Sequence, residues 1–90
     1  MYYVYALSSL ERNYIYVGMT DNLERRFCEH NSGKNKTTQP YKPFQLIYFE
    51  ECATRAEARV REKYFKSGIG KEKLKRIRDN FKNNDPNTCT

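Results

Sequence analysis

Two tyrosine- and valine-rich segments, Tyr2-Tyr3-Val4-Tyr5 and Tyr14-Ile15-Tyr16-Val17-Gly18, are separated by little more than the polar run Ser8-Ser9-Leu10-Glu11-Arg12-Asn13. Aromatic and β-branched side chains favour extended backbone, so Tyr2–Leu7 and Tyr14–Gly18 read as strands. Parallel strands need a crossover of a dozen residues or more, which this short link cannot supply, whereas an antiparallel hairpin needs only a turn. A hairpin at the start of the chain is therefore the element around which everything else must pack. Phe44-Gln45-Leu46-Ile47-Tyr48-Phe49-Glu50 gives a third strand of the same character.

Helices account for most of the remainder. Asp21, or alternatively Thr20, is placed to cap a helix, with Glu24 three residues beyond Asp21. Leu23 and Phe27 form its buried stripe and Gly33 closes it. From Gly33 to Pro43 the chain lacks periodicity and reads as loop. Thr54-Arg55-Ala56-Glu57 is a capping box that opens a second helix running to about Ser67. Gly68 and Gly70 are expected to break it, with a shorter helix following from Lys71 to about Asn80, anchored by Leu74 and Ile77. The order ββαβαα makes an α+β protein, a three-stranded antiparallel sheet with flanking helices. Residues 1–80 form the expected domain, and 81–90 a polar tail expected to be frayed.

Ninety residues suffice for one domain and not two. There is no run of ~18 apolar residues to cross a membrane. Met1-Tyr2-Tyr3 lacks the basic start of a signal peptide. The cysteines, Cys28, Cys52 and Cys89, are odd in number and form no C-x-x-C pair, which argues against structural zinc and for free thiols in the cytoplasm. The chain carries 17 Lys+Arg against 11 Asp+Glu, a net charge of +6. Most of that excess lies beyond residue 50, where the run Lys71, Lys73, Lys75, Arg76, Arg78 forms a basic helix. A basic surface suits a polyphosphate partner but is no proof of one.

Several residues could carry chemistry, each with a plainer reading beside it. Arg25 lies between Asp21 and Glu29 at helical spacing and reads as an exposed ion-pair partner. Arg26 borders the buried stripe, with His30 at i+4; it is a snorkelling arginine, a partner of Glu29, or a bidentate phosphate ligand. His30, the only histidine, is a structural residue or a contact to phosphate or water. Tyr5 and Tyr16 are core aromatics or, if their hydroxyls face water, groups whose pKa an adjacent arginine or metal-bound water would lower. Gly18 permits a close approach at a strand end. Glu62 shares a helix face with Ala58, Phe65 and Lys66; it is a salt-bridge partner of Lys66 or a ligand for Mg²⁺. Lys34, Lys36, Thr37, Thr38 and Lys42, with Tyr41 among them, form a solvated loop or an edge that contacts nucleic-acid backbone.

Taken in order, these residues resemble the GIY-YIG nuclease superfamily over roughly residues 1–78. Tyr3-Val4-Tyr5 corresponds to the first signature motif and Tyr16-Val17-Gly18 to the second. Arg26 in Asn22-Leu23-Glu24-Arg25-Arg26, His30 four residues on, and Glu62 in Glu62-Lys63-Tyr64-Phe65-Lys66 follow. Thr37, Pro43, Leu46, Tyr48 and Glu50 look like the small stand-alone, UvrC-like bacterial members. Tyr3 replaces a glycine, Val4 and Val17 replace isoleucines, and Met19 stands where DNA-repair members carry lysine.

The resemblance implies the GIY-YIG fold and a one-metal endonuclease acting on DNA with low sequence specificity. Glu62 would hold a single Mg²⁺ or Mn²⁺. Arg26 would neutralise charge at phosphorus, and Tyr5 or Tyr16 would handle the attacking water with His30 assisting. Lys34, Lys36, Thr37, Lys42 and Lys66 would contact the nucleic acid. The chain has no room for a separate targeting domain, so targeting would come from the 33–43 loop, the basic helix, a homodimer or a partner protein. Met19 keeps open a binding module of the same fold that grips DNA without cutting it.

Overall fold

The computed structural model describes residues 1–84 and the side chains of residues 1–80. Its order is β1 (Tyr2–Ser9), β2 (Ile15–Thr20), α1 (Leu23–Ser32), a short 3₁₀ turn (Gln39–Tyr41), β3 (Phe44–Cys52), α2 (Arg55–Lys66) and α3 (Gly68–Asn84). This is the expected ββαβαα, α+β arrangement. β1 is the central strand of a sheet ordered β2-β1-β3, antiparallel to both neighbours. With hydrogen bonds on both edges, β1 is buried continuously from Val4 to Ser9.

The period-2 alternation of β1 splits the core into two layers. Val4 and Ala6 join Ile15, Val17, Ile47 and Cys52 beneath α2 and α3, where Ala58, Phe65 and Leu74 complete the main core. Burying a side chain such as Leu74 or Phe65 contributes about 1.5–3 kcal/mol each. Tyr5 and Leu7 face the opposite side, in a smaller aromatic layer with Phe44, Tyr14, Tyr16, Leu23, Phe27 and Tyr41. Tyr14 and Tyr41 stack there, ring centroids 3.9 Å apart. Asn31 fastens the end of α1 to this layer, its Oδ1 accepting the Phe44 backbone N–H at 2.6 Å.

Helix ends differ from expectation in two places. The cap of α1 is Asn22, whose side chain accepts from the Arg25 N–H at 3.1 Å; Thr20 instead accepts the Asn22 N–H. Asp21 does not cap the helix and pairs with Arg25 at 3.8 Å. Gly33 does close the helix, with φ +83 in the left-handed region. Gly68 and Gly70 do not separate a shorter helix from α2; α3 begins at Gly68. Ser67 is the pivot, its hydroxyl donating to the Tyr64 carbonyl at 2.6 Å and accepting the Gly70 N–H at 3.4 Å. Gly70 is needed for closeness, because a Cβ there would fall against the Tyr64 carbonyl and lie 2.5 Å from Phe65 Cα. Of the expected tail, residues 81–84 continue α3, and 85–90 lie outside the described residues.

Candidate active site

The hairpin register sets Tyr5 opposite Gly18 and Leu7 opposite Tyr16, so both tyrosines project toward α1. Gly18 has no side chain to fill the space beside β1, and the Tyr5 ring occupies it. A Cβ at Gly18 would meet the Tyr5 hydroxyl at 2.7 Å and Tyr16 Cε2 at 2.9 Å. Tyr5 is 1% exposed, whereas Tyr16 is half-buried, their ring centroids 6.2 Å apart.

One turn of α1 separates Arg26 from His30, which places both against these rings. His30 is fully buried, and both its ring nitrogens have partners: Nε2 meets the Tyr5 hydroxyl at 3.1 Å and Nδ1 the Thr38 hydroxyl at 2.8 Å. It therefore has no face for phosphate or bulk water. Burial, with Arg26 nearby, pushes its pKa below the ordinary imidazole value, which keeps it neutral near pH 7. Thr38 is fully buried with it. Thr38 joins this cluster directly, whereas its neighbour Thr37 is exposed with its backbone N–H on Asn35 Oδ1 at 2.9 Å. Only its partner, unseen in the linear chain, sets Thr38 apart from the other polar residues of the loop.

Arg26 projects from this cluster toward solvent. Its Nη1 donates to Glu29 at 2.9 Å, and its guanidinium also lies against the Tyr5 hydroxyl. The expected lowering of the tyrosine pKa by arginine is present but outweighed. Burial, reinforced by Tyr16, pushes Tyr5 up to about 12, so it is a neutral phenol near pH 7. Removing a phenol from water disfavours the phenolate more than one partly solvated guanidinium restores it.

Glu62 comes from α2, on the other side of the sheet. Its side chain is 15% exposed and is paired with Lys66 at 3.3 Å and Arg59 at 3.9 Å. Both cations are more than half exposed, and such pairs contribute about 0–1 kcal/mol, so either cation is easily displaced from the carboxylate. Glu62 and Arg26 line one open polar groove of about 550 Å³, with Met19 and Thr20 of the β2 end, Arg55, Arg59 and Lys66. The groove joins α1 to α2 around the end of edge strand β2.

Among the described residues no three His, Cys, Asp or Glu side chains cluster as a metal site. Asp21 and Glu29 also line the groove but pair with Arg25 and Arg26. Glu62, held only by displaceable cations beside open space, suits Mg²⁺, which is commonly held by one or two carboxylates, with waters and substrate phosphate completing its shell. Arg55 and Arg59, which no motif in the sequence marks, add positive charge at the groove. Lys34, Lys36, Thr37 and Lys42 are exposed on the 33–43 loop and do not line the groove. A second groove, lined by Tyr3, Leu23, Phe27, Leu46 and Phe49, is apolar with Asp21, Glu24 and Glu51 at its margin, a poor surface for phosphate.

Residues 1–78 match the family model described as the GIY-YIG catalytic domain. A UPF0213 protein of Clostridium perfringens is 40% identical over 78 residues, covering 86% of this chain and 83% of that one. One from Haloquadratum walsbyi is 35% identical over 86 residues, covering 94% and 96%. The solution NMR structure of a UPF0213 protein from Bacillus halodurans is similar with a TM-score of 0.51 and 33% identity, covering 86% of this chain and 85% of that one.

Proposed function

The chain belongs to the GIY-YIG catalytic-domain family, and on that premise we propose that it is a metal-dependent endonuclease hydrolysing DNA phosphodiester bonds with little sequence preference. The observation that carries the reading is that Arg26 and Glu62, from helices on opposite faces of the sheet, open into one polar groove. Glu62 would hold one Mg²⁺ or Mn²⁺ ion, which when bound supplies Lewis-acid stabilisation of the scissile phosphate and its departing oxygen. Arg26 presents a planar guanidinium to the non-bridging oxygens and offsets the charge that grows on them. Tyr16, the less buried tyrosine, orients the attacking water. Tyr5 and His30 stand behind it as a neutral, hydrogen-bonded support. Lys66, Arg55 and Arg59 attract the phosphate backbone at the groove, and Lys34, Lys36, Thr37 and Lys42 extend that contact along the loop.

Cleavage of labelled single-stranded, duplex and flapped DNA with Mg²⁺ or Mn²⁺ tests this. Wild type should cut, and Glu62→Gln and Arg26→Ala should each abolish cutting while keeping the fold. A folded Glu62→Gln protein with full turnover would refute the assignment. Met19, an uncharged residue in the groove where DNA-repair members carry lysine, favours the second reading: a module that binds DNA without cutting it. Salt-sensitive binding by both proteins without scission by either would select that reading.

A further inference from the structure

The buried hydrogen bonds behind Arg26 run in one direction. At the outer end the Arg26 guanidinium has only donors, so the Tyr5 oxygen beside it accepts and the phenol proton turns inward to His30 Nε2 at 3.1 Å. A neutral imidazole has only one N–H, which then sits on Nδ1 and donates to the Thr38 hydroxyl oxygen at 2.8 Å, while the Asn35 carbonyl at 3.4 Å is the acceptor within reach of the Thr38 proton. This tautomer is assigned from the network of partners. Having donated inward, the Tyr5 oxygen offers lone pairs outward, where the Arg26 guanidinium lies. The opposite tautomer would donate Nε2–H to Tyr5 and release the phenol proton, which could then turn toward the guanidinium, donor against donor. Water cannot repair a misalignment here, because His30 and Thr38 are 0% exposed and Tyr5 is 1%.

We infer that Thr38 is a positioning residue of the site: it fixes the His30 tautomer, which holds the Tyr5 hydroxyl as an acceptor and thereby sets Arg26 for phosphate. This rests on the endonuclease reading for its catalytic consequence. It also gives the 33–43 loop a purpose beyond contact with DNA. Lys36 and Thr37 are exposed immediately before Thr38, so the strand-contacting surface and the catalytic arginine are tied to one short segment.

His30 is the only histidine of the chain, so ¹⁵N-detected imidazole NMR reads its tautomer without ambiguity. The wild type should carry its proton on Nδ1. Thr38→Val keeps the side-chain shape but removes the acceptor, and should shift the proton toward Nε2. The same substitution should slow Mg²⁺-dependent cleavage of labelled flapped duplex DNA about a hundredfold, the order expected for a ~1 Å misplacement. The loss should fall on kcat more than on KM. Thr38→Ser, which keeps the hydroxyl, should restore both the tautomer and the rate.

A wild-type proton on Nε2 overturns the proposal, and so does a Thr38→Val protein that cuts at the wild-type rate. Should Thr38→Val fail to fold, Tyr5→Phe serves in its place: an unchanged kcat there overturns the proposal, and a matching loss supports it. Absence of cleavage by wild type with the proton on Nδ1 overturns the endonuclease reading and the catalytic part of the proposal, while leaving the tautomer assignment confirmed.

Discussion

Gly18→Ala is the most direct probe of how the hairpin creates the site. The new Cβ would sit 2.7 Å from the Tyr5 hydroxyl oxygen and 2.9 Å from both Tyr5 Cζ and Tyr16 Cε2. These distances are roughly 0.6–1.3 Å inside ordinary contact. Backbone conformation is not the obstacle, since among the described residues only Gly33 has a positive φ. The cost is therefore one of space. Tyr5 cannot recoil freely, being enclosed by the aromatic layer and tied to His30. Overpacking costs about 1–3 kcal/mol, and leaving the buried His30 Nε2 unpaired would add about 1–3 kcal/mol. For a domain of this size the midpoint should fall by roughly 10 °C or more.

Thermal and urea unfolding would measure this, with a double-mutant cycle to identify the cause. In the Tyr5→Phe background the nearest clashing atom is gone, so Gly18→Ala should cost less there, with a coupling of about 0.5–3 kcal/mol. A Gly18→Ala protein within ~0.5 kcal/mol of wild type, additive with Tyr5→Phe, would refute the claim that glycine is present to admit the Tyr5 ring.

Four further outcomes follow from the same structure. Gly70→Ala, pressed against backbone atoms of Tyr64 and Phe65 that no rotamer change can relieve, should destabilise by about 3 kcal/mol in urea titration. Gly68→Ala, with nothing within 4 Å, should be neutral or stabilising by up to about 1 kcal/mol. Arg26→Lys keeps the charge but not the planar fork, so cleavage should fall by about 10²–10³ while DNA affinity holds; near-equal rates would show that charge alone suffices. His30 has a lowered pKa in the folded state, so below about pH 6.5 the unfolded chain takes up a proton that the native state refuses. Stability from urea titrations should thus fall as pH drops below that value and level off once the native imidazole titrates. A flat profile above the carboxylate range would contradict the buried, neutral histidine.

Local signals carried the elements a long way. Thr54 caps α2 by accepting the Glu57 N–H at 3.1 Å, and Gly33 closes α1, because capping needs only residues adjacent in sequence. The hairpin was legible for the same reason, since its short link admits little else. Asn22 displaced the expected Asp21 because three neighbouring polar residues all qualify as caps, and the path of the chain into α1 selects among them. Gly68 and Gly70 read as breakers because glycine disfavours helix locally. In the structure Ser67 starts α3 at once and Gly70 lets it lie against α2, a contact between two helices with no local signature.

The sequence by itself determined the three strands, the helix that carries Arg26 and His30, the helix that carries Glu62, and the basic balance of the surface. Period, capping and turn length are properties of near neighbours and survive in a one-dimensional reading. Tertiary structure alone decided that Tyr5 is enclosed and Tyr16 is the more open of the pair, that burial overrides Arg26 in setting the Tyr5 pKa, and that Thr38 is the partner of His30. Each depends on which groups exclude water from which others. Desolvation and hydrogen-bond direction belong to the packed arrangement, in which residues distant along the chain become neighbours.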